Sequence, residues 1–165
     1  MSAAPVALDL ALLEAEEREL VLPRFEADDA WALGVLTREI AAAAGHGVVI
    51  DVRRPQLLLF RAVLPGATPD QQAWAERKAA VTLRMESSSA LVDARLSGAG
   101  VDPQAIGWLD ERYAVTGGSF PIRVRGAGVV AAITVSGLSS QQDHDLAVAG
   151  LRAHLSILAG EGAAP

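Results

Sequence analysis

The clearest pattern in the chain is a pair of apolar, strand-like segments in its last third, joined by a short glycine-containing turn. Residues 129–136 carry apolar or small side chains on both faces of an extended strand, which is typical of a central strand covered on both sides. Residues 120–124 alternate apolar and polar positions, as expected of a neighbouring strand with one buried face. The turn at residues 125–128 predicts a β-hairpin.

Three further segments have the composition of strands. Residues 46–52 and 56–63 are rich in β-branched and apolar side chains, and residues 53–55 between them predict a second hairpin. Residues 113–116 predict another strand before the Gly-Gly pair at 117–118. Because consecutive strands are joined by connections too short for crossovers, the sequence predicts a five-stranded antiparallel sheet.

Helical periodicity occupies the first part of the chain. Leucines among acidic residues predict a short amphipathic helix over residues 8–19, which could pack on its own subunit or on a neighbour. A second helix has Asp28 and Asp29 in its first turn and ends at Gly45. Its predicted buried stripe is Leu33, Leu36, Ile40 and Ala43.

Two more helices follow the strands. Thr68, Pro69 and Gln71 have the types and spacing of a helix start, and this helix is predicted to run to about Ser87. Residues 90–96 could continue it. The last helix begins at Ser139 or Ser140 and ends before a frayed tail at residues 160–165. The order of elements predicts an α/β (α+β) fold with helices on both faces of the sheet, as one domain over residues 1–165.

Composition narrows the class of protein. Hydrophobic residues make up 51% of the chain but aromatics only 4%, so we expect a core of closely packed small side chains. Cysteine is absent, which excludes disulfides and thiolate chemistry, and the net charge of −6 argues against nucleic-acid binding. The sequence has no apolar run of membrane-spanning length, and residues 1–5 lack the basic start of a signal peptide. We therefore expect a cytoplasmic protein that binds neither membrane nor nucleic acid.

The candidate functional residues are isolated, because the sequence contains no nucleophile motif, phosphate loop or metal-ligand spacing. Arg53 and Arg54 at a hairpin tip are either a solvated turn or a clamp for an anion or carboxylate. Gly117 and Gly118 either form a turn that requires positive φ or present backbone amides to a ligand.

Two further candidates stand on predicted helices. Lys78 lies in an otherwise apolar stripe, so it either extends its amine to solvent or is a buried cation beside a ligand carboxylate. His144 is on the core face of the last helix, where it either packs or caps, or else ligates haem or a metal near the end of the central strand. His46 and His154 are expected to be peripheral.

Several short motifs, in combination, match a known group of proteins. They are Asp51 to Pro55 with Phe60, Leu64 to Asp70, Trp74 with Arg77 and Lys78, Ser87 with Ser88, Gly117 to Ile122, and Val135 to Leu138 followed by Asp143 and His144. Spread over about residues 20–155, they resemble an uncharacterised family of small proteins that is grouped with the haem-degrading, GlcG/HbpS-like domains.

This resemblance implies a profilin-like three-layer α/β/α fold with a five-stranded antiparallel sheet, homo-oligomers, and haem or iron binding. Haem-binding relatives often carry Gly-Gly-His in the first hairpin, where this chain has Arg53, Arg54, Pro55 and Gln56. The histidine that could ligate iron at that place is therefore missing here.

Two functions are compatible with these observations. The first is an oligomer that binds, or slowly degrades, haem, or binds a related small anionic ligand, with Arg53, Arg54, Lys78 and Arg123 as contacts for its carboxylates. In this hypothesis Arg53 and Arg54 lie in one basic pocket together with Lys78 and the glycine pair at 117–118. The alternative is a protein-interaction or assembly scaffold without catalysis, in which the helix over residues 8–19 reaches a neighbouring subunit.

Overall fold

The computed structural model describes residues 9–162, so Leu8 of the first predicted helix and residues 163–165 of the predicted frayed tail lie outside the described residues. The elements are α1 (Leu10–Glu19), β1 (Val21–Leu22), α2 (Ala27–Ala43), β2 (Val49–Arg54), β3 (Leu57–Val63), α3 (Pro69–Met85), α4 (Ser89–Ala99), β4 (Ser119–Val124), β5 (Gly128–Ser136) and α5 (Ser140–Glu161).

The sheet has five strands in the order β1-β4-β5-β2-β3. The predicted strand number is correct, but the prediction of a purely antiparallel sheet is wrong, because β1 runs parallel to β4 with Val21 opposite Arg123. The predicted strand at residues 113–116 is also wrong. The backbone N–H of Ala114 donates to the carbonyl of Arg77 on α3, 3.1 Å away, so this segment bonds to a helix rather than to the sheet. Residues 21–22 supply the fifth strand instead.

Strand β5 is central and covered on both faces, as its two-sided pattern predicted. Ala131, Ile133 and Val135 belong to the main apolar core together with Leu33 of α2 and Leu151 of α5. The alternate residues of β5 lie on the opposite face, against which α3 packs. The structure is therefore a three-layer arrangement with α2 and α5 on one side of the sheet and α3 on the other.

The buried stripe of α2 differs from the prediction. Ala30, Leu33, Gly34, Thr37 and Ala41 are buried, whereas Ile40 is 37% exposed. The stripe is rotated because the ring of Phe60 packs directly on Gly34. A Cβ at Gly34 would lie 2.3 Å from that ring, so only glycine permits this contact. A buried stripe predicted from hydrophobic side chains alone omits glycine, which is why the prediction missed Gly34.

The helix termini follow the capping pattern closely. Both α3 and α5 begin with a reciprocal capping box, from Thr68 to Gln71 and from Ser139 to Gln142. Residues 89–99 do not continue α3 but form a separate helix. Glu86 adopts a left-handed conformation (φ 51°) that ends α3, and the Ser88 hydroxyl caps the start of α4. Thus α4 can turn away from α3.

Candidate functional site

A buried ion pair lies between the sheet and the start of α5. Lys78, the only lysine in the chain, is 4% exposed, and its Nζ donates to Asp143 Oδ2 at 2.8 Å and to the Val135 carbonyl at 3.4 Å. Asp143 also accepts from the backbone N–H groups of Gly137 (3.3 Å) and Leu138 (3.0 Å). Of the two interpretations of Lys78, the buried cation is therefore correct and the solvent-exposed amine is not. The carboxylate beside it, however, belongs to the same chain and not to a ligand.

Two glycines allow the surrounding backbone to approach this pair. Gly118 has φ +132°, and a Cβ there would lie 2.4 Å from the Val135 carbonyl oxygen and 2.9 Å from Lys78 Nζ. Gly137 has φ +148°, and its Cβ would lie 2.7 Å from the Gly47 carbonyl oxygen. Both positions are strained for any residue with a side chain. Gly137 was not among the candidate residues, although its position directly after the predicted central strand could have indicated a turn there.

Gly117 is held differently from its neighbour. Its backbone N–H donates to the Ser140 hydroxyl at 2.7 Å, so this amide already has a partner within the protein. A Cβ at Gly117 would lie 2.4 Å from the Ser140 carbonyl oxygen. The Gly-Gly pair therefore joins β4 to the start of α5, and the turn interpretation accounts for its geometry.

Two adjoining cavities open beside the ion pair, and we call them together the Trp74 cleft. The smaller, about 260 Å³, has Lys78 and Asp143 in its wall, and the larger, about 420 Å³, is bounded by Arg77, Tyr113 and residues 102–104. Trp74 and Thr116 line both cavities. Trp74 is 38% exposed, and the Arg77 guanidinium lies 4.6 Å from its ring centroid. The cleft therefore combines an aromatic surface with polar groups.

The other predicted arginines do not reach this cleft, so the single basic pocket is wrong. Arg53 lies opposite Ala132 on β5, whereas Lys78 reaches Val135, three residues or roughly 10 Å further along the strand. Arg53 donates from Nε to Asp51 at 3.0 Å and lies in a cluster of charges on β2, β3 and α3. Arg54 is exposed at the end of β2.

Arg123 lies on yet another part of the molecule. It pairs in register with Val129, six residues or roughly 20 Å along β5 from Val135. Its terminal nitrogen donates to the Glu86 carbonyl at 2.7 Å and lies 3.5 Å from a carboxylate oxygen of Glu17. Strand register separates Arg123 from Lys78, and sequence reasoning without the register could not detect this separation.

The histidines are packed within the structure. His144 is 1% exposed, and its Nε2 lies 2.8 Å from Oε2 of Glu16 on α1. Sequence analysis did not identify Glu16 as a candidate residue. His154 is 2% exposed and therefore not peripheral, and burial lowers its pKa below the usual range despite the nearby carboxylate of Asp29. Residues 9–162 contain no group of three or more acidic or histidine side chains that could hold a metal. Iron ligation by His144 stays a prediction; its Nε2 is engaged by Glu16, and its Nδ1 is buried without a hydrogen-bond partner in the described part of the chain.

Hydroxyl groups form a buried network between α4, β4 and β5, and sequence reasoning missed it. Thr134 Oγ1 donates to Ser119 Oγ at 2.8 Å, and the Ser119 backbone N–H donates to the Ser89 hydroxyl at 3.0 Å. All three residues are fully buried. Because buried polar groups are costly unless they are hydrogen-bonded, this network fixes how β4, β5 and α4 meet.

In the described part of the chain, no helix has both the length and the apolar character needed to cross a membrane.

Comparison with known proteins agrees with the resemblance found in the sequence. A family model described as haem degrading protein HbpS-like matches residues 25–152. A UPF0303 protein of Streptomyces coelicolor is 48% identical over 152 residues, which cover 92% of this chain and 96% of that protein.

Solved structures agree with this result. The crystal structure of the Ybr137w protein has a TM-score of 0.83 and 29% identity, covering 91% of this chain and 89% of that one. A double mutant of HbpS from Streptomyces reticuli has a TM-score of 0.66 and 25% identity, covering 93% and 98%. With a family model that matches well over half of its residues, the chain belongs to the HbpS-like family of haem-degrading proteins.

Proposed function

We propose that the protein is an oligomer that binds haem, or a related small ligand with carboxylate groups, in the Trp74 cleft. The observation that carries this proposal is the match of residues 25–152 to the haem-degrading, HbpS-like family. The cleft supports it because its aromatic wall lies directly beside cationic side chains.

The residues of the cleft fit a porphyrin ring and its carboxylates better than they fit its iron. Trp74 and Tyr113 offer aromatic surface. None of the three histidines lines either cavity of the cleft, and His144 and His154 are almost fully buried. Bound haem would supply the redox chemistry of its iron, but this chain would hold it through ring and carboxylate contacts.

Arg77 is the residue best placed to take a carboxylate. Its Nε donates to the Glu111 carbonyl at 2.7 Å, and its terminal nitrogens have no hydrogen-bond partner within residues 9–162. Lys78 is already neutralised by Asp143, so its role is to hold the wall of the cleft in place. A guanidinium can donate two parallel hydrogen bonds to a carboxylate, which favours Arg77 over Lys78 as the direct contact.

The test is a titration with haemin and, in parallel, with metal-free protoporphyrin IX. We expect a saturable shift of the Soret band near one haem per chain and a similar affinity for the metal-free ring. Arg77→Ala should weaken both affinities by about 1–3 kcal/mol, and Arg54→Ala, which removes an exposed arginine far from the cleft, is the matched control. A featureless, non-saturating signal would contradict the proposal, and a strong preference for haemin would favour iron ligation by His144.

Self-association is the other part of the proposal. Strand β3 is an edge strand with exposed apolar side chains, and Leu57 is 56% and Val63 59% exposed. Trp31 on the neighbouring α2 is 63% exposed. Unpaired, apolar edge strands are generally covered in stable proteins, which supports a further copy of the chain as the cover. Light scattering should give a mass of at least twice that of a single chain, and the mass of a single chain would contradict self-association.

The assembly scaffold remains the second candidate function, and the exposed apolar side chains favour it. The outer face of α1 exposes Leu10 (43%) and Leu12 (51%), while the inner Leu13 packs on Ala90 and Leu91 of the same chain. Replacing Leu10 and Leu12 by serine separates the two functions. A scaffold using this face would lose mass in solution and keep any porphyrin binding, whereas an unchanged mass removes α1 from the interface.

A further inference from the structure

We propose a second binding site, for a phosphate group on a small organic molecule, at the junction of α1, α4 and β4. A cavity of about 450 Å³ lies there, and three arginines line it: Arg18 from α1, Arg95 from α4 and Arg123 from β4. Val21 and Leu91 form an apolar part of its wall. This cavity shares no residue with the Trp74 cleft, so the inference goes beyond the proposed function and does not depend on it.

The cavity has an excess of positive charge, although the whole chain carries a net charge of −6. Its three arginines face only two carboxylates, those of Glu14 and Glu17. Arg18 has no ion-pair or hydrogen-bond partner for its side chain within residues 9–162. Arg18 is therefore a cation without a counter-ion at the wall of a cavity, and such a group favours an anion.

The two carboxylates differ in how firmly they are held. Glu14 pairs with Arg95 at 2.9 Å, and both side chains are well exposed, so water and salt make this contact weak. Glu17 accepts from the Ser87 hydroxyl at 2.9 Å and from the Ser88 backbone N–H at 2.6 Å, which fixes it at the start of α4. An incoming anion can therefore replace Glu14 on Arg95 while α1 stays in place through Glu17.

The chemistry of the cavity selects a phosphate. Guanidinium groups match the tetrahedral oxygens of phosphate with paired hydrogen bonds, and a phosphate monoester carries close to two negative charges at neutral pH. The cavity is larger than a phosphate ion requires and falls in the range typical of sites for small organic molecules. Val21 and Leu91 would contact the organic part, so we expect a phosphate monoester to bind more tightly than inorganic phosphate.

The experiment is calorimetric titration of the full chain with phenyl phosphate and with inorganic phosphate at constant ionic strength. Arg18→Gln should weaken binding of phenyl phosphate about tenfold, because a hydrogen bond to a charged group is lost. Glu14→Gln should tighten it, because it removes the competing carboxylate. Arg38→Gln and Glu39→Gln make the same charge changes on exposed positions of α2 and should leave the affinity within about twofold of wild type.

Three outcomes would overturn the proposal. One is the absence of saturable binding of either probe up to about 1 mM, which corresponds to a binding free energy of about −4 kcal/mol. Another is an equal loss of affinity in Arg18→Gln and Arg38→Gln, which would indicate a general charge effect. The third is equal affinity for both probes, which would exclude an organic phosphate as the ligand. Melting curves check that each variant is folded, and porphyrin titrations of the same variants should match wild type.

Discussion

The replacement Lys78→Met removes the positive charge from the buried ion pair and keeps most of the side-chain volume. Asp143 would then be a carboxylate that is 1% exposed and has no counter-ion, with only the backbone N–H groups of Gly137 and Leu138 as donors. Removing one partner of a buried ion pair destabilises a protein by about 3–5 kcal/mol. For a chain of 165 residues, this corresponds to a fall in Tm of roughly 6–20 °C.

The assay is urea unfolding of four proteins: wild type, Lys78→Met, Asp143→Asn, and the double variant. Because the two charges interact directly, the double variant should lose clearly less free energy of unfolding than the sum of the two single variants. Arg38→Met is the control for replacing a cation by methionine, since Arg38 is exposed on α2, and it should change stability by less than about 0.5 kcal/mol.

An increase in the Tm of Lys78→Met would refute this reasoning. It would mean that the lysine is a tolerated intrusion in an apolar interior and that the ion pair does not hold the wall of the Trp74 cleft. Additive effects in the double variant would also contradict the account, because they would show that Lys78 and Asp143 do not interact in solution.

Three other predictions follow from the same region and from α5. Gly118→Ala should destabilise the protein strongly or prevent folding, since a Cβ there meets the Val135 carbonyl oxygen at 2.4 Å, whereas Gly98→Ala, with nothing within 4 Å, should be neutral or stabilising in thermal melts. Burial lowers the pKa of His154, so the unfolded chain binds a proton at this residue more readily than the folded protein does. The free energy of unfolding should therefore fall as the pH drops below 6.5, the ordinary pKa of histidine. His154→Gln should flatten this dependence in urea titrations from about pH 7 to 5. An amine-reactive reagent followed by mass spectrometry should leave Lys78 unmodified in the native protein and modify it after denaturation; rapid native labelling would contradict its burial.

Local sequence patterns predicted the elements whose formation depends on neighbouring residues. The hairpin of β4 and β5 and the capping box at Thr68 are both present, because turn glycines and capping side chains act within a few residues. By contrast, β1 has only two residues, and its strand character comes from hydrogen bonding to β4, about a hundred residues later. Such a strand leaves no recognisable pattern of its own.

The candidate site was predictable in part. Lys78 and the Gly-Gly pair were found because a lone cation in an apolar stripe and adjacent glycines before a strand are unusual locally. Asp143, the partner of Lys78, is 65 positions away in the sequence, and only the packing of α3 and α5 around β5 brings the two together. Arg53 and Arg123 were misplaced for the same reason, since their positions depend on strand register and on carboxylates elsewhere in the chain.

Native mass spectrometry of the protein purified from its own cells tests the central claim most directly, because a retained ligand identifies itself. The account predicts an oligomer that carries extra mass from a small carboxylate-bearing ligand, with a porphyrin as the expected case. The Arg77→Ala variant should lose this mass, and the Arg54→Ala variant should keep it. A monomer without added mass, or a ligand retained equally by both variants, would contradict the claim that the Trp74 cleft is a ligand-binding site.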